Sequence, residues 1–340
     1  MLPPRAVRRL VLAPLVLLLT AAALVGLPVL ILVALATSIP AKRRGRGLRV
    51  LGLAVAWLLL ECAALVASLA LWLASGFGGR LRSDSFQDRH YALVRWFLSG
   101  LYAVATRAFG LRVEIDEPEA TPGELSRRLT RPVVVLSRHA GPGDSFLLVY
   151  QLLALYHRRP RIVMKAALQF DPSLDVVINR LPHAFVHPRK AGEGLVVAEI
   201  RRLSAGLGPT DALVIFPEGG NFTPRRRVRA IERLRRASKF TEAARAERME
   251  HLLAPRTGGA TAAIEACPEA DVIFVAHTGL DHLITIGDVW RDLPVNQVIR
   301  ARWWRVPAPD VPRAREQQVT WLYDWWERID TWIGAARTVR

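Results

Sequence analysis

The sequence predicts an α/β domain with a largely parallel central sheet flanked by helices, preceded by a membrane hairpin of two apolar helices. Residues 10–41 contain no charged side chain and residues 50–79 contain only Glu61, which predicts the hairpin. After residue 80, short β-rich segments alternate with segments of helical periodicity, which is typical of parallel sheets covered by helices. We therefore divide the chain into the hairpin, residues 1–79, and a second domain, residues 80–340, that ends in a tryptophan-rich helix.

Each apolar run of the hairpin is longer than the roughly 20 residues that cross a hydrocarbon core. The first run also exceeds the apolar part of a secretory signal, about 7 to 15 residues, so a retained helix is favoured over a cleaved leader. The basic residues do not fix the orientation, since five lie between the runs and six flank them. A shallow hairpin buried in one leaflet remains an open alternative to two membrane-spanning helices.

The composition restricts the partners and the chemistry. A net charge of +17 indicates a polyanionic partner, and the apolar runs favour a lipid surface over nucleic acid. The chain has only two cysteines, Cys62 and Cys267, which excludes a disulfide framework and a thiolate metal site. The histidines show no metal-ligand spacing, so we expect neither a metal nor another cofactor.

The second domain is predicted to begin with an arginine-containing amphipathic helix, which can lie at the membrane surface. Strands are then predicted at 111–116, 132–137, 161–165, 183–187, 212–216 and 271–277, and helices at 145–157 and 191–205. The arginine-rich stretch 225–239 is interpreted either as a solvated helix face or as a contact for anionic headgroups or CoA phosphates. The last helix carries an apolar tryptophan stripe at helical spacing: Trp321, Trp325, Ile329 and Trp332. This stripe favours core packing, with interfacial anchoring as the alternative.

A first candidate motif, SRHAGPGDS at 137–145, follows the apolar strand PVVVL. In a regular helix, residues five apart point about 140° away from each other, but the Ala-Gly-Pro-Gly turn can fold the chain back. Asp144 could then orient the imidazole of His139 and leave its second nitrogen as a base. The simpler interpretation is that Asp144 caps a helix and His139 lies in a surface turn. No G-x-S-x-G nucleophile elbow is present, so the nucleophile must come from a substrate.

A second motif, VIFPEGGNF at 214–222, also ends a core strand with a glycine-rich turn. Such turns gather backbone N–H groups that can hold an anion. In this order and about 75 residues apart, the two motifs resemble the N-H-x4-D and F-P-E-G-T-R blocks of the glycerolipid acyltransferase family, of the 1-acylglycerol-3-phosphate type. AFVHPRK and VIFVAH resemble two further blocks, and NFTPRRR and HLLAPRTGG resemble the branch that includes lysophosphatidylinositol and lysocardiolipin acyltransferases.

The resemblance covers roughly residues 90–290 and implies transfer of an acyl group from acyl-CoA, or from acyl carrier protein, to a lysolipid hydroxyl. It assigns His139 as the general base that takes the hydroxyl proton and Asp144 as the residue that orients it. The acceptor hydroxyl itself is the nucleophile, so no serine or cysteine is needed. We expect 1-acylglycerol-3-phosphate as acceptor, with lysophospholipid remodelling as the alternative.

The resemblance also implies a phosphate site. It assigns that site to Arg189 and to Glu218, Gly219 and Gly220 of the third block. The chain departs from the family at Asn221, which stands where an arginine is usual, at Gly220 in place of threonine, and at Ser137-Arg138 before the histidine. Candidates for the missing charge are Arg138, Arg256 and one of Arg225 to Arg227, with Lys165 as a weaker candidate.

Two other functions remain to be separated from acyl transfer. A hydrolase would use the same base with water as acceptor, and a membrane-tethered binding protein would account for the charge but not for the paired motifs. The expected acyl-CoA donor indicates an integral protein of the cell membrane whose catalytic domain lies on the cytoplasmic side.

Overall fold

The computed structural model describes residues 2–38, 45–116, 130–141, 143–187, 192–279, 296 and 298–338. Within these residues, the strands form one seven-stranded sheet in the order β1-β7-β6-β2-β5-β3-β4. The strands are β1 (Arg112–Asp116), β2 (Val133–Ser137), β3 (Arg159–Lys165), β4 (Ala184–Val186), β5 (Asp211–Ile215), β6 (Asp271–Thr278) and β7 (Val298–Val306).

The helices surround the sheet and precede it. Short 3-10 turns follow β3, the sixth helix and β7. The α-helices are α1 (Arg5–Val25), α2 (Leu27–Ala36), α3 (Arg46–Ala74), α4 (Asp84–Phe109), α5 (Asp144–Ala154), α6 (Pro172–Val177), α7 (Glu193–Ala205), α8 (Pro224–Arg236), α9 (Phe240–Arg248), α10 (Thr257–Ala266) and α11 (Arg315–Thr338).

The sheet confirms the predicted fold class. Its central strands are fully buried, as in β2 and β5, because helices cover both faces and leave no polar side. Every described pair of neighbouring strands is parallel except β6 and β7, which pair antiparallel from Val272–Val306 to Thr278–Arg300.

The sequence analysis missed β7. Its residues alternate between buried Ile299, Ala301 and Trp303 and half-buried Arg300 and Arg302, which is a period-2 pattern. The arginines on the outer face obscured this signal, although their aliphatic stems can cover apolar surface while the charge stays in water. The strand joins β1 to β6 and so completes one side of the sheet.

The hairpin differs from the prediction in one respect, because its first apolar run forms two helices. The break falls at Gly26, whose N–H still donates to the Ala22 carbonyl over 2.8 Å, and Pro28 follows in the first turn of α2. Proline has no N–H to continue the ladder, which explains the break. Helices α1 and α3 remain long and apolar enough to cross a membrane.

Helix α3 is held along α4 from one end to the other. Near its start, the Arg49 side chain donates to the carbonyls of Arg107 and Ala108 at the end of α4. Toward its end, Arg180, which follows α6 in the second domain, donates to the Ser68 carbonyl over 2.8 Å. About 19 residues, or about 28 Å, of α3 therefore lie beside the same domain.

The C-terminal helix α11 closes the core. Trp325 stacks on Phe274 of β6 with ring centroids 4.5 Å apart, and the Trp321 and Trp326 rings meet Phe274 edge-on. Trp326 has no exposed surface. The prediction of core packing for this tryptophan stripe is confirmed.

We expect Trp326→Ala to lower the free energy of unfolding by about 3 to 5 kcal/mol, because a large buried ring is replaced by a cavity. Chemical denaturation of the detergent-solubilised protein measures the change. Trp96→Ala removes a ring that is 48% exposed and serves as the control. Equal losses in the two variants would contradict the packing described for α11.

Candidate active site

The candidate site lies where the adjacent parallel strands β2, β5 and β6 end. In the β2–β5 register Leu136 pairs with Ile215, so the residues three positions further on, His139 and Glu218, emerge at the same level. On the other side of β2, Ser137 pairs with Val275, which brings the end of β6 to this edge as well. Carboxyl ends of parallel strands are the usual place for sites in such sheets.

The turn after β2 brings His139 and Asp144 together, although they are five residues apart. Asp144 is the first residue of α5, and its Oδ2 and Oδ1 lie 3.0 and 3.1 Å from His139 Nδ1. The backbone N–H groups of Ala140 and Gly141 also donate to Oδ2, over 2.7 and 3.1 Å. The carboxylate therefore holds the turn and the imidazole at once.

Asp144 remains ionised at neutral pH. Burial alone would raise the pKa of its carboxyl, but the hydrogen bond from His139, the nearby His277 and the Gly141 N–H together bring that pKa below its ordinary value. A carboxylate beside Nδ1 requires a proton on that nitrogen, which leaves Nε2 as the basic atom of the ring. Nε2 makes no hydrogen bond with any residue that the structure describes.

The imidazole of His139 is positioned by packing as well as by charge. Its ring lies against Phe216, the residue after β5, with centroids 4.7 Å apart. The side chain is 17% exposed, whereas the Asp144 side chain is 1% exposed. A buried orienting carboxylate and a base that reaches the surface are the arrangement that proton transfer to a bound substrate requires.

His277 is a site residue that the sequence analysis did not single out. Its Nε2 lies 3.7 Å from Asp144 Oδ2 and 3.3 Å from the Arg138 carbonyl. The side chain ends the apolar block VIFVAH of β6, and a histidine at the end of a core strand was the available signal. His277 thus places a second imidazole beside the Asp144 carboxylate.

Glu218 occupies a different position from the expected phosphate contact. It is 3% exposed, and its two oxygens accept the backbone N–H groups of His139 and Leu253, over 2.7 and 2.9 Å. Burial raises the pKa of this carboxyl to about 7, despite the opposing charge of Arg138. Both oxygens of Glu218 face the protein, so this side chain holds the backbone of His139 in place.

Arg138 is also placed behind the site, not in it. Its side chain has no exposed surface, and its guanidinium donates to the carbonyls of His277 and His251. The expected contact with a substrate phosphate is therefore not what the structure shows. Arg138 ties β2 to β6 and to the segment before α10.

Two other arginines lie at the glycine turn after β5. A side chain at Gly219, where φ is +69°, would come within 2.8 Å of Arg256 Nε, and one at Gly220 within 3.2 Å of Arg226 Nη1. Both arginines are exposed, and the Phe222 N–H donates to the His139 carbonyl over 3.0 Å, so this turn lies against the base. The glycines thus allow two cations to approach the turn closely.

Four further sequence candidates remain: two are exposed, one binds backbone carbonyls and one lies outside the described residues. Lys165 ends β3 and is exposed, and Arg225 is an exposed residue of α8. Arg227 instead donates to the carbonyls of Met249 and Glu247, which joins α8 to α9. Arg189 lies outside the described residues.

We expect Glu218→Ala to lower the free energy of unfolding by about 1 to 3 kcal/mol at pH 5, because two buried N–H groups lose their acceptor. The raised pKa means that the proton on Glu218 stabilises the fold fully below the ordinary carboxyl range, and that this contribution is lost as the pH rises through about 7. The difference from the unaltered protein should therefore narrow from pH 5 to pH 8. Glu199→Ala, at an exposed ion pair with Arg202, is the control in the same denaturation series, and a gap that widens with pH would contradict this role.

Comparison with known proteins finds an acyltransferase family model and curated relatives. Residues 112–278 match the family model described as Acyltransferase. The chain is 22% identical to lysocardiolipin acyltransferase 1 of Mus musculus over 245 residues, covering 69% of this chain and 60% of that protein. It is 23% identical to lysocardiolipin acyltransferase 1 of Danio rerio over 185 residues, covering 54% of this chain and 44% of that protein, and so spans about half the length of these curated relatives.

No solved structure matches the chain significantly. The segment that matches the family model contains the ends of β2, β5 and β6 together with the His139–Asp144 pair. Residues 112–278 are therefore similar to an acyltransferase domain, and these findings support the resemblance of the sequence motifs to the glycerolipid acyltransferase family.

Proposed function

We propose that the protein is a membrane-bound O-acyltransferase that moves a fatty acyl group from acyl-CoA to the free hydroxyl of a lysophospholipid. One observation carries the proposal: His139 is oriented by the buried Asp144 through Nδ1, and its ring reaches the surface beside a turn flanked by two arginines. A base next to a cationic turn suits a hydroxyl nucleophile that carries a phosphate.

The proposed reaction needs no covalent enzyme intermediate. Nε2 of His139 accepts the proton of the lysolipid hydroxyl as its oxygen attacks the thioester carbonyl. The C–S bond then breaks, and the protonated imidazole returns its proton to the departing thiolate of CoA. The products are an ester and free CoA, and the ionised Asp144 stabilises the transient imidazolium.

Donors for negative charge are present at the same edge. The N–H groups of Gly220 and Asn221 make no hydrogen bond with any residue that the structure describes, and the turn that carries them lies against His139. Such N–H groups can hold a phosphate or the oxyanion that forms on the thioester carbonyl. Arg226 and Arg256 then supply the charge that Asn221 lacks.

We propose 1-acylglycerol-3-phosphate as the first acceptor, with phosphatidic acid as the product. The second candidate is a lysophospholipid with a larger headgroup, which the names of the relatives in Mus musculus and Danio rerio favour. The exposure of Arg226 and Arg256 agrees with either acceptor. The acyl-CoA donor puts the catalytic domain on the cytoplasmic side of the cell membrane in this proposal.

We expect His139→Ala to lower acyl transfer by about 10²- to 10⁴-fold, because the hydroxyl loses its general base. Asp144→Asn should also lower kcat strongly, since an amide does not stabilise the imidazolium. Membranes that contain the protein are incubated with labelled acyl-CoA and a panel of lysolipids, and the labelled phospholipid and free fatty acid are measured separately.

The control for this experiment is His157→Asn. His157 is exposed and has φ of +49°, a conformation that asparagine tolerates, so the variant should retain transfer. Release of free fatty acid without any acylated lysolipid would support the hydrolase instead. Full transfer by the His139→Ala variant would refute the mechanism.

We expect Arg226→Gln and Arg256→Gln each to raise the KM for the lysolipid by about tenfold, with a smaller effect on the KM for acyl-CoA, because a phosphate loses one charged donor. Initial rates with each substrate varied in turn give the two constants. Arg225→Gln removes a neighbouring exposed charge and serves as the control. Equal changes in both constants would argue that these arginines bind CoA.

A further inference from the structure

A cavity of about 890 Å³ lies between the hairpin and the catalytic domain. Its wall is formed by α1, α3, the loop after α3 and the residues that follow α6. None of its lining residues belongs to the candidate active site. Most of the apolar wall comes from the hairpin, namely Ala13, Leu17, Leu65, Val66, Leu69 and Trp72, and the rest from Leu81 and Val176.

The apolar wall of the cavity can be reached from outside the protein. Leu17 of α1 and Leu69 of α3 line it and are 45% and 56% exposed. An acyl chain could therefore enter sideways between α1 and α3. An apolar wall of this kind offers nothing to a small soluble anion but buries a hydrocarbon chain favourably.

The polar end of the cavity is cationic. It is lined by Arg5, Arg9, Arg82 and Arg180, and none of the described lining residues is acidic. Arg9 shares the carboxylate of Asp175 with Arg8, whereas Arg5, Arg82 and Arg180 have no acidic partner among the described residues.

The arginines at this end repel one another. Burial lowers the pKa of Arg180 to about 10, and the nearby charge of Arg9 adds to that effect. Arg180 is also fixed in place, since it donates to the Ser68 carbonyl and contacts His90 Nε2. An anion placed between these guanidinium groups would remove the repulsion.

We infer that this cavity binds an anionic phospholipid, with its phosphate at the arginines and one acyl chain between α1 and α3. The phosphate would then lie at the cationic end of the cavity, and the acyl chain would lie at its apolar end. The lipid would contact α1, α3 and the catalytic domain together, so it would also stabilise the attachment of the hairpin. The inference does not depend on the acceptor proposed for the active site.

The experiment uses the full chain purified in a neutral detergent. Native mass spectrometry measures binding of phosphatidylglycerol and, separately, of phosphatidylcholine, and thermal unfolding is followed at increasing concentrations of each. We expect phosphatidylglycerol to bind at least about tenfold more tightly than phosphatidylcholine and to raise the unfolding temperature. The double variant R5Q/R82Q should lose most of this preference.

Two matched controls test whether a loss of lipid binding comes from the cavity itself. One removes the same charge elsewhere, and the other adds the same bulky ring elsewhere. R107Q/R112Q removes the same charge from exposed positions outside the cavity and should bind like the unaltered protein. Leu69→Trp should block the apolar end, whereas Leu59→Trp, on the same helix but outside the cavity, should not. Leu69→Trp leaves every arginine in place, so it also tests the site if R5Q/R82Q unfolds.

Three results would overturn the inference. Equal binding of the two lipids, or equal losses in R5Q/R82Q and R107Q/R112Q, would show that no specific site exists. Displacement of phosphatidylglycerol by millimolar inorganic phosphate alone would show that the arginines form a site for soluble anions.

One result would support the inference directly. Loss of phosphatidylglycerol binding in Leu69→Trp with acyl transfer retained would indicate a lipid site separate from the active site.

Discussion

The candidate site depends on one hydrogen bond, in which the His139 backbone N–H donates to the Glu218 carboxylate. This hydrogen bond joins the ends of β2 and β5 at the same level. The second oxygen of Glu218 accepts the Leu253 N–H from the segment before α10. Three separate segments are therefore held by one buried side chain. The imidazole could not keep its distance to Asp144 if the backbone that carries it were mobile, because proton transfer tolerates little displacement.

The sequence predicted the elements whose signal is local. Buried parallel strands are continuous apolar runs, so β2, β5 and β6 were found, and the His139–Asp144 pair followed from the turn between them. The roles of Glu218 and Arg138 could not be predicted, since a charged residue in a motif has the same appearance whether it faces substrate or protein. Only the register of β2 with β5 shows that Glu218 meets a backbone N–H.

The choice among Arg225, Arg226 and Arg227 has the same cause. The sequence left this choice open, because it depends on the approach of Arg226 to Gly220, which is six positions away and across a turn. The division at residue 79 stays a prediction, and the contacts across it are extensive: α3 lies along α4, and Arg8 at the start of α1 reaches Asp175 beyond β3. The hairpin is thus joined to the catalytic domain by buried ionic contacts as well as by apolar ones.

The centre of the candidate site contains three buried charged side chains that hold His139 in place. Arg138, Glu218 and Asp144 are each at most 3% exposed, and removing such groups from water costs several kcal/mol per ion unless each is paired. Here each has several partners: Arg138 donates to backbone carbonyls, and the two carboxylates accept backbone N–H groups. An apolar cluster of similar volume could stabilise the fold at least as well, but it would have no directional bonds. The buried charges fix where His139 points, and that direction is what a general base requires.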